Sequence, residues 1–193
     1  MKEKAKTKTK SEKKKMNPKD IIVPTVSLFL ICLIATLLLA VVNNFTAPKI
    51  AAINEATAIS TRSEVLPAAS SFTEKDNYFI GIDSNKKTVG YVFTEDSKSY
   101  GGNVSVMVGI DTKGKVTGVE ITEINDTPGL GMNAKNDSFK NQFVGMSGTI
   151  GVNKSGKTDT EIQALTGATI TSKAVTKAVN AALSEFSKIG GGK

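Results

Sequence analysis

The chain has 193 residues, enough for one domain of ordinary size with additional segments. Its formal net charge is +7, but residues 1–20 contain nine lysines and three acidic residues, so the remainder is close to neutral. Positive charge confined to a low-complexity tail excludes nucleic acid as a partner. Because the chain has no His and a single Cys, Ser-His-Asp and Cys-His catalysis are excluded as well.

An uncharged run of 22 residues, 21–42, predicts a transmembrane helix. A helix of this length spans about 33 Å, enough to cross a hydrocarbon core of about 30 Å. The lysines before it place residues 1–20 in the cytoplasm as a basic tail near anionic membrane lipid, and the rest of the chain outside the cell membrane. A cleaved signal peptide is the alternative, but its apolar core spans only about 7–15 residues.

The remaining residues predict an α+β domain with an antiparallel sheet packed on helices. We expect a connecting helix and linker at 43–75, with the helix ended by Pro67, and the domain itself at 76–193. Strands are predicted at 78–82, 88–94, 103–111 and 115–122, with a hairpin turn between the last two. A change of apolar phase indicates a bulge at Gly118.

The C-terminal part predicts two helices separated by a loop. A short helix is expected at 137–144, followed by a Gly-, Ser- and Lys-rich loop at 145–158 with one short strand at 149–152. Apolar residues at steps of three and four predict an amphipathic helix at 171–188. We expect Thr171 or Ser172 to cap its N-terminus and the glycines at 190–192 to end it.

The most informative segment is Leu165-Thr166-Gly167-Ala168-Thr169-Ile170-Thr171-Ser172. Its hydroxyls lie at the start of a helix, where unpaired amides and a partial positive charge favour a phosphate. Helix capping alone is the simpler interpretation. Since the chain has no Walker loop, dinucleotide fingerprint or metal-ligand spacing, a bound cofactor is favoured by elimination. A second segment, Asp126-Thr127-Pro128-Gly129-Leu130-Gly131, predicts a type II turn with Gly129 at the left-handed position.

Both segments resemble one family. Residues 165–171 resemble the Ser/Thr-Gly-Ala-Thr flavinylation motif of FMN-binding domains, and residues 127–131 resemble the Thr-Pro-Gly-Leu-Gly loop of the G subunit of the Rnf electron-transport complex. Residues 44–50, 62–67 and 100–111 are similar to the same protein. The resemblance therefore covers nearly the whole chain after residue 20.

The resemblance implies FMN joined by a phosphoester to the Thr169 hydroxyl, attached by a separate flavin transferase. It implies an electron relay within an ion-translocating ferredoxin:NAD oxidoreductase, whose partners are membrane and iron–sulfur subunits. The implied cofactor-binding residues around Thr169 are Thr166, Gly167, Ala168, Thr171, Thr127, Pro128, Gly129, Leu130 and Gly131.

Further residues have two interpretations each. Lys135, Lys140 and Lys173 are candidate phosphate partners, but each is more typical of a solvated surface. Tyr100 can stack on the flavin, although a place in the core is favoured. Gln163 stands where the family motif usually has Asp, so the transferase meets an amide there.

Two other functions remain open at this point. The C subunit of the Na⁺-translocating NADH:quinone reductase has a similar anchor and motif but a longer exported domain. A membrane-anchored binding domain without redox function is the second alternative, with Thr-Gly-Ala-Thr as an ordinary helix cap.

Overall fold

The computed structural model describes residues 18–190, so the first 17 residues of the predicted basic tail lie outside it. The chain divides into two compact units between Ile53 and Asn54. The helices and strands, in chain order, are α1 (Pro18–Val65), β1 (Ser71–Lys75), β2 (Tyr78–Ile82), β3 (Thr88–Lys98), β4 (Asn103–Asp111), β5 (Val116–Ile124), a 3₁₀ turn (Gly131–Lys135), α2 (Asp137–Lys140), β6 (Gly151–Asn153), β7 (Glu161–Gln163) and α3 (Thr169–Lys188).

Within the described residues, the first unit is the part of α1 up to Ile53, which includes the apolar run. The predicted helix at 21–42 is confirmed, and by length and composition it can cross a membrane, with a mean hydropathy of 2.8 in its most apolar stretch. Its threonines bond within the helix: the Thr25 hydroxyl donates to the Ile21 carbonyl at 2.7 Å, and the Thr36 hydroxyl to the Cys32 carbonyl at 2.9 Å. These hydroxyls therefore need no partner outside the helix.

The second unit is built on a five-stranded antiparallel sheet in which β1 to β5 follow one another in order. The predicted strands at 78–82 and 103–111 are confirmed; β3 extends to Lys98 and β5 covers 116–124. The pairing steps from Gly109–Gly118 to Ile110–Val116, which leaves Thr117 unpaired and confirms a bulge beside Gly118. Strand β1 was not predicted because its residues are mostly polar and exposed at the sheet edge.

Helix α3 covers one face of this sheet and forms the main core. The helix buries Val175, Val179, Ala182 and Phe186 against the valines of β4 and the aromatic side chains of β2 and β3. The rings of Phe186 and Tyr91 meet edge to face at 5.6 Å. The predicted apolar stripe is thus confirmed except for Ile189, which is 37% exposed at the end of the helix.

The opposite face of the sheet is covered by the end of α1. Val65 and Leu66 are buried there with Val92 and Met107, so residues of the predicted connecting segment contribute to a second core. Gly109 and Gly118 pair across β4 and β5, and a Cβ on either would collide with the Val65 backbone. These two glycines allow the chain after α1 to lie directly on the sheet. The helix ends at Val65, two residues before Pro67, as predicted.

The segments between β5 and α3 differ from prediction in length. Helix α2 has four residues rather than eight, because the chain turns at Gly145 with φ +84° while Phe139 and Phe143 point into the core. The strand predicted at 149–152 lies at 151–153 instead, and it pairs in parallel with a strand at 161–163 that was not predicted. A strand of three residues carries almost no periodic signal, which explains why 161–163 was not predicted.

Candidate functional site

A pocket of about 730 Å³ lies at the N-terminus of α3. Its size is typical of a cofactor site. Four segments line it: the turn after β3, the loop after β5, the loop after β6, and the chain from β7 into α3. The lining residues are Tyr100, Asp126, Thr127, Leu130, Gly131, Lys154, Gln163, Ala164, Leu165, Thr166, Gly167, Ala168, Thr169, Ile170 and Thr171.

Helix α3 begins earlier than predicted, which changes the roles of its hydroxyls. Thr169 is the first helical residue, and the N-cap is Ala168, with no side-chain cap hydrogen bond. The prediction that Thr171 or Ser172 caps the helix is therefore wrong: both are buried in its first turn. The Ser172 hydroxyl instead donates to the Ala168 carbonyl at 3.0 Å and accepts from the Leu165 amide at 2.9 Å. The uncapped end of α3 leaves backbone amides for a ligand in the pocket.

A buried carboxylate, Asp126, forms one wall of the pocket. It is 3% exposed and accepts hydrogen bonds from the Thr171 hydroxyl at 2.5 Å, the Gly101 amide at 2.6 Å and the Ser99 hydroxyl. Burial raises its pKa, but these bonds and the Tyr100 amide outweigh that effect and hold the pKa below its ordinary value. In the sequence Asp126 is only the first residue of the predicted turn segment; its role in the site was not predictable, because its partners lie 25 to 45 positions away in the chain.

The two segments singled out by sequence meet at this pocket. The Leu130 amide donates to the Thr127 carbonyl at 3.2 Å, and Gly129 has φ +75°, which confirms the predicted turn with Gly129 in the left-handed region. Gly167 also has φ +75°, and a Cβ built there would lie 3.1 Å from Leu130 Cδ2. The loop after β5 and the Thr-Gly-Ala-Thr segment therefore pack against each other.

Most of the predicted site residues line the pocket. Two of them, Pro128 and Gly129, are exposed at the tip of the turn and are outside the lining. The remaining eight belong to it: Thr127, Leu130, Gly131, Thr166, Gly167, Ala168, Thr169 and Thr171.

The aromatic and basic residues are distributed differently from expectation. Tyr100 is 73% exposed at the pocket, so the expectation of a core position is wrong. None of the three candidate phosphate lysines belongs to the lining; the lysine there is Lys154, which was not among the predicted residues. Lys140 is instead paired with Glu120 at 2.5 Å and Asp137 at 3.1 Å.

Gln163 lies at the pocket, and its backbone makes two hydrogen bonds with the side chain of Gln142. The Gln163 amide donates to Gln142 Oε1 at 2.7 Å, and Gln142 Nε2 donates to the Gln163 carbonyl at 3.3 Å. The Gln163 side chain is exposed and adds a neutral amide to the lining. Glu161, the nearest acid along the chain, accepts from Asn153 Nδ2 at 2.8 Å.

The residues present fit a flavin mononucleotide. The uncapped end of α3 and the Lys154 ammonium suit a phosphate, while Leu130, Ile170 and Tyr100 offer exposed apolar and aromatic surface suited to a flat ring. In agreement, residues 99–184 match the FMN-binding domain family, so the second unit of the chain is a domain of that class.

Similar proteins identify the family more closely. Residues 16–65 match the RnfG N-terminal region. The chain is 36% identical to the G subunit of the proton-translocating ferredoxin:NAD(+) oxidoreductase complex of Clostridium ljungdahlii, over 88% of this chain and 93% of the relative. It is 38% identical to the G subunit of the Na(+)-translocating ferredoxin:NAD(+) oxidoreductase complex of Acetobacterium woodii, over 84% and 89%. The chain belongs to this family of G subunits of Rnf-type complexes.

A solved structure supports the fold. The crystal structure of the C subunit of the Na(+)-translocating NADH-quinone reductase from Parabacteroides distasonis superposes with a TM-score of 0.50 at 24% identity, covering 57% of this chain and 60% of that one. At this identity the likeness bears on the fold alone. It confirms the predicted α+β class for the second unit.

Proposed function

We propose that this chain is the electron-relay G subunit of a membrane-bound, ion-translocating ferredoxin:NAD oxidoreductase complex, with FMN esterified through its phosphate to Thr169. The observation that carries the proposal is the position of Thr169. It is the first residue of α3, half-buried at the pocket, on a helix end that no side chain caps. Two relatives that are named as G subunits and align along most of their length support the assignment to such a complex.

The chain's own groups have distinct tasks in this proposal. The Thr169 hydroxyl holds the phosphate covalently, and the amides of the first turn of α3 offset its negative charge. Lys154 adds an ammonium group from the loop after β6. When bound, FMN supplies one- and two-electron transfer. Leu130 and Ile170 line the pocket with exposed apolar side chains and would contact the flavin ring.

Intact-mass measurement tests the covalent flavin. Purified full chain, produced with a flavin transferase, should gain the mass of one FMN residue. Thr169→Ala should abolish this gain. Thr160→Ala, an exposed threonine outside the pocket, should retain it. A wild-type protein that stays unmodified while a known substrate of the same transferase is modified would falsify the proposal.

The proposal also includes an orientation: residues 1–20 in the cytoplasm, α1 as a single-pass anchor in the cell membrane, and the FMN-binding domain outside. The charge asymmetry around the apolar helix supports it. Cys32 lies in the helix and is replaced by Ala for the test, and Ser155→Cys then adds one exposed thiol. An impermeant thiol reagent should label intact cells. Labelling only after lysis would place the domain in the cytoplasm.

In this proposal the partners of the chain are the other subunits of the complex and a flavin transferase. Membrane and iron–sulfur subunits would pass electrons to and from the flavin, and the flavin transferase would act once during maturation. Affinity purification of the full chain from its native membrane should recover partner proteins with iron–sulfur absorption. Recovery of the chain alone under mild detergent would count against a stable complex.

A further inference from the structure

Polar side chains are buried at a few places in the second unit, and two of them, Asp126 and Thr171, line the pocket. Apart from Thr61, the buried polar side chains in the described part of the chain lie at the end of β3, in the loop after β5, or in the first half of α3. They are Ser97, Ser99, Asp126, Thr171, Ser172 and Thr176. Asp126 is the one charged member of this set. A buried charge has a cost that hydrogen bonds must offset, so its position calls for an explanation.

The hydrogen-bond donors to Asp126 come from different segments of the pocket wall. The carboxylate accepts from the Thr171 hydroxyl on α3, at 2.5 Å, and from the Gly101 amide in the turn after β3, at 2.6 Å. Among residues 18–190, no Lys or Arg nitrogen lies within 4.0 Å of it, so neutral donors alone satisfy the charge. One carboxylate thereby connects three of the four segments that line the pocket.

Close packing restricts the movement of the hydrogen-bonded Asp126 and Thr171 side chains. A Cβ on Gly131 would lie 2.5 Å from Asp126 Cβ and 2.7 Å from Thr171 Oγ1, so the loop after β5 fits tightly against the pair. Thr171 is two residues beyond Thr169 in the same helical turn. A displacement of Thr171 therefore displaces the hydroxyl of Thr169.

We propose that Asp126 is a positioning residue for flavin attachment: through Thr171 it fixes the first turn of α3, so that the Thr169 hydroxyl stays directed into the pocket. The inference rests on the proposed function. Attachment forms a bond between Thr169 Oγ1 and the flavin phosphorus and breaks the phosphoanhydride bond of a flavin dinucleotide donor. The hydroxyl proton is released, the adenosine monophosphate half of the donor leaves, and the flavin half stays on the threonine. Asp126 touches none of these atoms and acts by holding the nucleophile in place.

The test uses the full chain, a flavin transferase and a flavin dinucleotide, with the rate of FMN attachment followed by intact mass. Thr171→Val removes the hydroxyl at nearly constant volume, and Thr171→Ser restores it. Asp126→Asn removes the charge. We expect Thr171→Val and Asp126→Asn to slow attachment at least tenfold, and Thr171→Ser to stay within threefold of wild type. Hydrogen exchange of the unmodified protein should be faster at residues 169–173 in the two slow variants.

Two control variants separate positioning from general stability. Val179→Ala weakens the core on the same helix but outside the pocket, and Asp96→Asn alters an aspartate that accepts from the Ser105 hydroxyl outside the pocket. Both should be modified at the wild-type rate at a temperature where all variants are folded. If attachment falls with melting temperature in Val179→Ala as well, or if Asp126→Asn and Thr171→Val match wild type, the inference is overturned. An unmodified wild type overturns it together with the proposed function.

Discussion

Replacing Gly131 by Ala tests whether the pocket is assembled as tightly as the structure indicates. The added Cβ would lie 2.5 Å from Asp126 Cβ, 2.7 Å from Thr171 Oγ1 and 2.8 Å from Asp126 Oδ2. Carbon atoms in ordinary contact are ~3.5–4.0 Å apart, so the loop or the carboxylate must move by about 1 Å. Overpacking of this kind costs about 1–3 kcal/mol.

The same movement breaks or lengthens a hydrogen bond to a charged group. That loss adds about 1.5–3 kcal/mol, so Gly131→Ala should lower the free energy of unfolding by roughly 2.5–6 kcal/mol in total. Gly129→Ala is the matched control in the same loop. Gly129 has φ +75° with open space around it, and a left-handed alanine there costs only about 1–2 kcal/mol.

Urea titration of the full chain in detergent measures both values. The chain has no Trp, so near-ultraviolet circular dichroism of its three tyrosines reports the packing of the second unit. The midpoint should shift further for Gly131→Ala than for Gly129→Ala, with unchanged slopes. Equal shifts, or a Gly131→Ala protein as stable as wild type, would refute the close packing of Gly131 on the Asp126–Thr171 pair.

Three further predictions concern single contacts. Because the pKa of Asp126 is held below its ordinary value of 3.8, its stabilisation is complete at neutral pH and is lost as pH falls through the lowered pKa. The difference in unfolding free energy between wild type and Asp126→Asn should therefore be largest above about pH 5 and shrink in acid; a constant difference would contradict this. Lys140→Ala removes a half-buried ion pair and should lower the free energy of unfolding by roughly 1–2 kcal/mol, yet leave the rate of flavin attachment unchanged. Slower attachment in the folded variant would show that Lys140 contributes to the site. Thr117→Val removes a 2.5 Å hydrogen bond to the Val65 carbonyl and should cost about 1 kcal/mol in urea titrations, whereas an unchanged midpoint would show that this bond contributes nothing.

Elements with a strong period were predictable from the sequence. The apolar helix at 21–42, the strands at 78–82 and 103–111, and the apolar stripe of α3 all appear where the pattern placed them. The strands and α3 each bury one face, which leaves a periodic pattern in their residues, whereas the exposed helix at 21–42 was predictable from its long uncharged apolar run. The edge strand 71–75 and the short strand 161–163 leave no such record, because backbone pairing rather than side-chain burial defines them.

Within the site, local chemistry was predictable and distant pairing was not. The turn at 127–130 and the association of Thr169 with a helix N-terminus followed from residue types at fixed spacing. The helix was predicted to begin at residue 171 but begins at Thr169, because Thr171 and Ser172 are residue types that commonly cap helices. Their hydroxyls have other partners, supplied by Asp126 for one and by the Leu165 and Ala168 backbone for the other.

The sequence by itself determined an apolar helix long enough to cross a membrane and an α+β domain, and it predicted a phosphate site at the Thr-Gly-Ala-Thr segment, since each depends on neighbouring residues. Only the tertiary structure decided that Asp126 is the buried centre of the site, that Lys154 is its lysine, and that Tyr100 is exposed beside it. These depend on where the sheet brings residues 25 to 45 positions apart, and no local pattern encodes such distances.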